Sequence, residues 1–247
     1  MKNRSVAMGS LEGTSAIVTG ASSGIGAAIA ASLAREGAGV VLAARNEARL
    51  RSVAATLTNP ERHLVVVADV GDEAAVERMV RAAVDRYGTV GILVNNAGFG
   101  TFKPIVEMET GEFDDVIRAN LRGPFLCMKH VLPLMYERER GTVVTISSIA
   151  GKHGFAGGTA YCASKFGVMG LMECAFHEAR GHNVRMVSIC PGSVDTRFFD
   201  EAHTTPPNRD RILQPADVAA AVMLAITLPE QALLRELDIR PTNPGRP

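Results

Sequence analysis

The sequence predicts one doubly wound α/β domain, a parallel sheet of seven strands with helices on both faces. Three observations carry that expectation. Apolar runs of strand length alternate with helical stripes along nearly all of the 247 residues. The runs are continuously apolar rather than alternating, as in strands covered on both faces. No linker-like or low-complexity segment divides them, so one domain is expected over residues 11–247, behind a loose N-terminal tail at residues 1–10. In this class ligands gather at the carboxyl ends of the strands.

Each element follows from its own residues. "TSAIVTG" (14–20) is a buried strand ending at a glycine, and "GIGAAIAASLAREG" (24–37) is a helix closed by Gly37. "GVVLAAR" (39–45) is the second strand, and "NEARLRSVAATL" (46–57) a helix with Asn46 as its N-cap. "HLVVVADV" (63–70) is the third strand. The helix at 72–88 then carries Ala75, Val76, Met79, Val80, Ala83 and Val84 on one stripe. "VGILVNNAG" (90–98) is the fourth strand, and two longer helices fill 112–139. "GTVVTISS" (141–148) is the fifth strand, 160–180 a long helix and "NVRMVSICPG" (183–192) the sixth strand. A helix at 215–227 starts with Pro215 in its first turn, and "RELDIRP" (235–241) is the last strand. The segment 193–215 is polar, holds Pro206-Pro207 and breaks the rhythm. A loop this long in a compact domain is usually functional or mobile.

Composition excludes several function classes. Formal net charge is zero with both signs interspersed, which disfavours a nucleic-acid surface or a polybasic membrane patch. No apolar run approaches the roughly 18 residues of a membrane span, and no secretory signal opens the chain, so a cytoplasmic protein is expected. Cys127, Cys162, Cys174 and Cys190 form no CxxC pair, and the six histidines form no HExxH pair. The cysteines read as small buried hydrophobes, and no metal site is expected.

"TGASSGIG" (19–26) joins the first strand to the first helix. Gly20, Gly24 and Gly26 there permit a tight turn, close approach of backbone to a pyrophosphate and close helix packing. The helix N-terminus offers free N–H groups and a positive dipole end to the phosphates. Placement on strand–turn–helix makes dinucleotide binding the better reading than an ordinary glycine-rich turn. The second strand ends in Ala43-Ala44-Arg45. A carboxylate at that tip would take the ribose 2′-hydroxyl of NAD, whereas Arg45 suits a 2′-phosphate. NADP(H) is therefore expected in preference to NAD(H). The alternative, a solvated charge, would put a cation against the dipole of a helix start.

"TAYCASKFG" (159–167) sets Tyr161 four residues before Lys165, on one helix face, in a chain of only three tyrosines and five lysines. Delivering hydride to a carbonyl requires a proton donor at the developing alkoxide, and a free tyrosine titrates near about 10. A cation about 4 Å from the phenolate stabilises it by about 4 kcal/mol at an effective dielectric of about 20. That predicts a fall of about 3 pKa units. Ser148, at the end of the fifth strand, could donate to the same oxygen.

"TGASSGIG", "NNAG" (95–98), Asn120 in "IRANLRG", "ISS" ending at Ser148, "YCASK" and "PGSVDT" (191–196) stand in the order and spacing of the short-chain dehydrogenase/reductase family, which the chain resembles from about Leu11 to Arg240. The resemblance implies a Rossmann-type fold, reversible hydride transfer between nicotinamide and a carbonyl or secondary alcohol, and the tetrad Asn120, Ser148, Tyr161 and Lys165. Ser148 rather than Ser147 is chosen because the family's serine stands thirteen residues before the tyrosine. The resemblance also assigns the cofactor to Gly20, Ser22, Ser23, Gly24, Ile25, Gly26, Arg45, Asp69, Val70, Asn96, Ala97, Gly98, Tyr161, Lys165, Pro191, Gly192, Val194 and Thr196. Asn95 would brace the central sheet. A homotetramer or homodimer is implied, with the helices carrying Asn120 and Tyr161 between subunits. The expected partner is a small carbonyl or alcohol. "FGTF" and "RELDIRPTNP" depart from 3-oxoacyl-carrier-protein reductases, which carry "ITRD" and a "DGG"-like ending. That reductase activity, or cofactor binding without turnover, stays as an alternative. Phe99, Phe102, Phe155, Phe198 and Phe199 are either pocket walls or core, with Arg197 and His153 near the expected mouth.

Overall fold

The computed structural model describes residues 11–202, 204 and 208–243, so the tail expected at 1–10 lies outside the described residues. Seven strands form one parallel sheet: β1 Ser15–Thr19, β2 Gly39–Ala44, β3 Leu64–Val67, β4 Ile92–Asn95, β5 Gly141–Ile146, β6 Val184–Pro191 and β7 Glu236–Ile239. Their order is β3-β2-β1-β4-β5-β6-β7. The connections reverse direction between β1 and β4, which opens a crevice at the carboxyl ends of those two strands. Register is continuous across it, with Ile17 beside Leu93 and Val18 beside Val94.

Among the described residues eight helices accompany the sheet: α1 Gly24–Arg35, α2 Glu47–Ala55, α3 Glu73–Tyr87, α4 Thr110–Ile117, α5 Gly123–Glu137, α6 Thr159–Ala179, α7 Phe198–Glu201 and α8 Pro215–Thr227. Successive strand side chains point to opposite faces, so each strand feeds two cores. Val18, Val40 and Leu42 pack with Ile29 and Leu33 of α1 and Val222 of α8. Ile17, Val41 and Leu93 pack on the other face with Met79 of α3, Val131 of α5 and Met172 of α6. A side chain such as fully buried Ile17 contributes about 1.5–3 kcal/mol by leaving water.

Two expectations change. The region read as two helices within 112–139 is α4 and α5 joined without a break by a π-helical turn, Arg118–Arg122, which seats Asn120. The irregular segment 193–215 contains α7 and a short turn at Arg209–Arg211. Arg209 binds Asp195 and reaches Asp200 at 2.6 Å, tying the two ends of the segment together. Four residues of helix are too few to set a period against a polar background. Among the described residues no helix is long and apolar enough to cross a membrane.

Candidate active site

The loop after β1 is shaped by its glycines. Gly20 has φ +66, which favours glycine, and a Cβ there would meet Ala97 Cα at 2.8 Å. At Gly26 a Cβ would sit 2.3 Å from the Gly20 carbonyl oxygen and 2.5 Å from Asn96 Nδ2. The strand β4 end locks onto this turn: Asn96 Nδ2 donates to Thr19 O (2.9 Å) and Gly20 O (3.2 Å). Thr19 Oγ1 accepts from the Asn96 and Ala97 amides at 3.0 and 3.1 Å. Asn95 instead points into the sheet and donates to Thr145 at 3.3 Å, as its expected bracing role requires. Gly20, Ser23, Ile25, Ala97 and Gly98 line the resulting cleft, so the cradle that a dinucleotide pyrophosphate needs is present and fits.

One end of the cleft is a polar cavity of about 600 Å³ beyond the tips of β2 and β3, lined by Ser22, Arg45, Arg49, Asp69 and Val70. Arg45 is exposed and forms no ion pair within 4 Å among the described residues, although its field reaches Asp69. Arg49, one helical turn on, stands 3.6 Å from Glu201 of α7. Burial raises the Asp69 pKa, but the Gly71 amide, the Arg118 guanidinium at 2.9 Å and the field of Arg45 outweigh it and hold the carboxyl below its usual range. Arg49 and Arg118 escaped the sequence reading. Arg49 stands four residues after Arg45, a spacing that could have found it; Arg118 is aimed by a π-helical turn with no sequence signature.

The other end is a cavity of about 430 Å³ reaching Ser148, Tyr161 and Lys165, with Pro191, Gly192, Val194 and Thr196 along its floor. Thr196 Cγ2 lies 3.1 Å from where a Gly24 Cβ would be, which closes this loop over the cradle. Ser148 follows β5, caps a short turn and accepts from the Ala150 amide at 3.1 Å. Its hydroxyl and the Tyr161 phenol face the same cavity, near enough for Ser148 to favour the ionised phenol. Lys165 is buried one turn along α6, and its Nζ donates to Ile146 O at 2.9 Å.

The predicted lowering of the tyrosine pKa is not what this geometry produces. Burial pushes Tyr161 up to about 12, and the neighbouring Ser148 hydroxyl offsets only part of that. The Lys165 ammonium lies 5.7 Å from the ring centroid and is directed at the Ile146 carbonyl. Burial also pulls Lys165 down to about 8, because an ammonium loses its hydration there. Spacing along a helix placed the pair on one face; it could not show that Lys165 is buried and Tyr161 half-buried.

Asn120 is buried and fully occupied locally. It accepts from Phe99 N (3.0 Å) and donates to Phe99 O (2.8 Å) and Ser164 Oγ (3.0 Å). It thereby holds the Gly98–Phe99 backbone beside α6. A Cβ on Gly98 would fall 2.8 Å from Asn120 Oδ1 and 3.9 Å from Lys165 Nζ. Phe102, Phe155, Phe198 and Phe199 line the catalytic cavity, as do Arg197 and His153; Phe99 lines the other cavity instead. Cys127 and Cys190 are buried thiols pushed up to about 12 and about 11, in keeping with packing roles. Among the described residues no cluster of His, Cys, Asp or Glu could hold a metal.

A family model described as short chain dehydrogenase matches residues 14–207. An uncharacterized oxidoreductase of Staphylococcus aureus is 36% identical, over 92% of this chain and 96% of its own length. A metagenomic short-chain oxidoreductase, solved in complex with NADP, is 38% identical with a TM-score of 0.81, covering 94% of this chain and 99% of that one. The 3-ketoacyl-(acyl-carrier-protein) reductase from Brucella melitensis, solved with NADH, is 30% identical with a TM-score of 0.85, covering 93% and 98%. The glycine cradle, the seven-stranded parallel sheet and these likenesses agree: the chain belongs to the short-chain dehydrogenase family of oxidoreductases.

Proposed function

We propose that the protein is an NADP(H)-dependent reductase of carbonyl compounds, with Tyr161 as the general acid. The observation that carries it is one cavity lined by Ser148, Tyr161 and the glycine cradle together, with Lys165 buried one turn after Tyr161. Bound NADPH would supply hydride to the carbonyl carbon. Ser148 donates a hydrogen bond to the carbonyl oxygen and holds it at the phenol. Tyr161 remains protonated until about pH 12, so its proton is available whenever negative charge develops on that oxygen. The Lys165 ammonium then stabilises the phenolate left behind. Asn120 positions the Gly98–Phe99 backbone against Lys165. The reading is tested by NADPH oxidation with a panel of aldehydes and ketones; binding of NADPH with no turnover of any of them would leave only the cofactor-binding reading.

The 2′-phosphate preference rests on Arg45, with Arg49 beside it and no carboxylate at the β2 tip. A charge-assisted hydrogen bond is worth about 1.5–3 kcal/mol, so Arg45→Ala should weaken NADPH binding about 10–100-fold and change NADH binding little. Equal affinity of the unaltered protein for NADPH and NADH would show the assignment to be wrong.

The two pKa directions fix a pH dependence. With Tyr161 raised to about 12, the phenol does not lose its proton near neutrality. With Lys165 lowered to about 8, the ammonium is lost as pH rises through that value. The kcat/KM for carbonyl reduction, which reports groups of the free enzyme, should therefore be level below pH 7 and fall about tenfold per unit above about pH 8. A profile level to pH 10 would mean that the Lys165 charge is not needed.

A further inference from the structure

Beside Tyr161 the cavity wall is aromatic, built from Phe102, Phe155 and Phe198. Phe102 stands 5.5 Å from the Tyr161 ring, 5.8 Å from Phe155 and 5.9 Å from Phe198, measured between centroids. Phe198 is itself 5.4 Å from Tyr161. Their edge-to-face and tilted arrangements are the ones aromatic rings favour. The rings come from three separate segments: the loop after β4, the loop before α6, and α7.

Two glycines make room for them. A Cβ on Gly100 would strike Phe102 Cζ at 2.8 Å and Phe198 Cζ at 3.0 Å; one on Gly158 would strike Phe155 Cε2 at 2.7 Å. Ordinary core packing would bury all the rings, yet Phe155 is 52% exposed at the cavity mouth. An open aromatic face joined to a catalytic hydroxyl is what an apolar ligand site looks like.

Of the cationic side chains around this wall three face carboxylates, while His153 also lines the cavity. Arg197 lies 3.7 Å from Glu201, and Lys103 is 2.5 Å from Glu112. Lys152 is turned away to Glu236 at 2.5 Å and to Asp238. A carboxylate or phosphate on a substrate would compete with Glu201 for Arg197 or be desolvated against phenyl rings, which disfavours an unpaired ion. An aromatic ring there gains area and edge-to-face contact instead.

We propose that the substrate is an uncharged carbonyl compound bearing one aromatic ring, an aryl ketone or aryl aldehyde, with its ring against Phe102, Phe155 and Phe198 and its oxygen at Tyr161 and Ser148. This rests on the reductase reading above. The C=O π bond is replaced by a C–H bond formed with hydride and an O–H bond formed with the Tyr161 proton, and NADPH ends as NADP⁺. Phe102, which contacts the other three rings, is the main specificity-determining residue.

The test compares kcat/KM for acetophenone, its saturated analogue cyclohexyl methyl ketone, the charged aryl acid phenylglyoxylate, acetoacetyl-N-acetylcysteamine and the small aldehyde propanal. The expected result is a preference for acetophenone of about tenfold over the saturated ketone and of about 100-fold over the acid. Phe102→Leu should lower the acetophenone value about tenfold, mainly through KM, and lower the propanal value by a smaller factor. Faster reduction of the acid or the thioester would overturn the proposal while leaving the reductase reading intact. So would equal losses for acetophenone and propanal in Phe102→Leu, since the ring would then act only by packing Tyr161. Turnover of none of the five would sink the reductase reading and the proposal with it. The panel on the unaltered protein decides the substrate class even if the variant folds poorly.

Discussion

Tyr161→Phe will lower carbonyl reduction about 10²–10⁴-fold, the range a positioned general acid supplies, while NADPH binding weakens by no more than about tenfold, the loss of one hydrogen bond. The substitution removes one oxygen and keeps the ring. Contacts of that ring with Phe102 and Phe198 at 5.5 and 5.4 Å survive, so the cavity wall stands. What goes is the proton donor beside Ser148. Ser148 alone can still polarise the carbonyl, so a residual rate above that in water is expected rather than none. Calorimetry of NADPH binding separates this from a damaged cofactor site, because the chain has no tryptophan to report binding by energy transfer. Turnover within tenfold of the unaltered protein would falsify the assignment of Tyr161 as the acid.

That tyrosine was legible in the sequence because its chemistry depends on local spacing. Tyr161 and Lys165 share a helix face wherever the helix goes, and Gly20, Gly24 and Gly26 sit on one strand–turn–helix unit. The strands were legible for a related reason: runs such as Ala16–Val18 are buried on both faces, so almost every residue in them is apolar. Their ends were less so. Asp69 and Val70 read as the end of β3 but lie beyond Val67, where an Asp69–Gly71 bond starts a turn.

The features that stayed hidden are those made by distant segments meeting. Phe102, Phe155 and Phe198 are dozens of residues apart and nothing in the linear pattern distinguishes them from core, whereas Phe99, equally suggestive, faces the other cavity. The Arg118–Asp69 pair joins positions 49 apart. The Tyr161 pKa was misjudged for the same reason. The attraction of a nearby cation can be estimated from spacing, but the opposing cost of burial depends on what the rest of the fold places around the pair.

Gly26→Ala is the second large effect, and a single methyl group causes it. The added Cβ would lie 2.3 Å from the Gly20 carbonyl oxygen and 2.8 Å from its carbon. Those are backbone atoms and cannot swing aside as a flexible side chain could. Gly20 in turn is held by Asn96 Nδ2, which the same Cβ approaches to 2.5 Å. Relief therefore requires α1 to move away from the β1–β4 crevice, which moves its N-terminus off the phosphate position. Overpacking of this kind costs about 1–3 kcal/mol, a drop in Tm of roughly 2–12 °C for a chain of this size. NADPH affinity should fall by about 100-fold or more, because the helix N-terminus is the anion site. Gly170→Ala provides the contrast: it lies on the exposed side of α6 with nothing within 4 Å of its Cβ position. Gly170 lines neither cavity, so alanine there should leave cofactor binding unchanged. Were Gly26→Ala to bind NADPH as tightly as Gly170→Ala does, the close contact between α1 and the Gly20 turn would not be what builds the cofactor cradle.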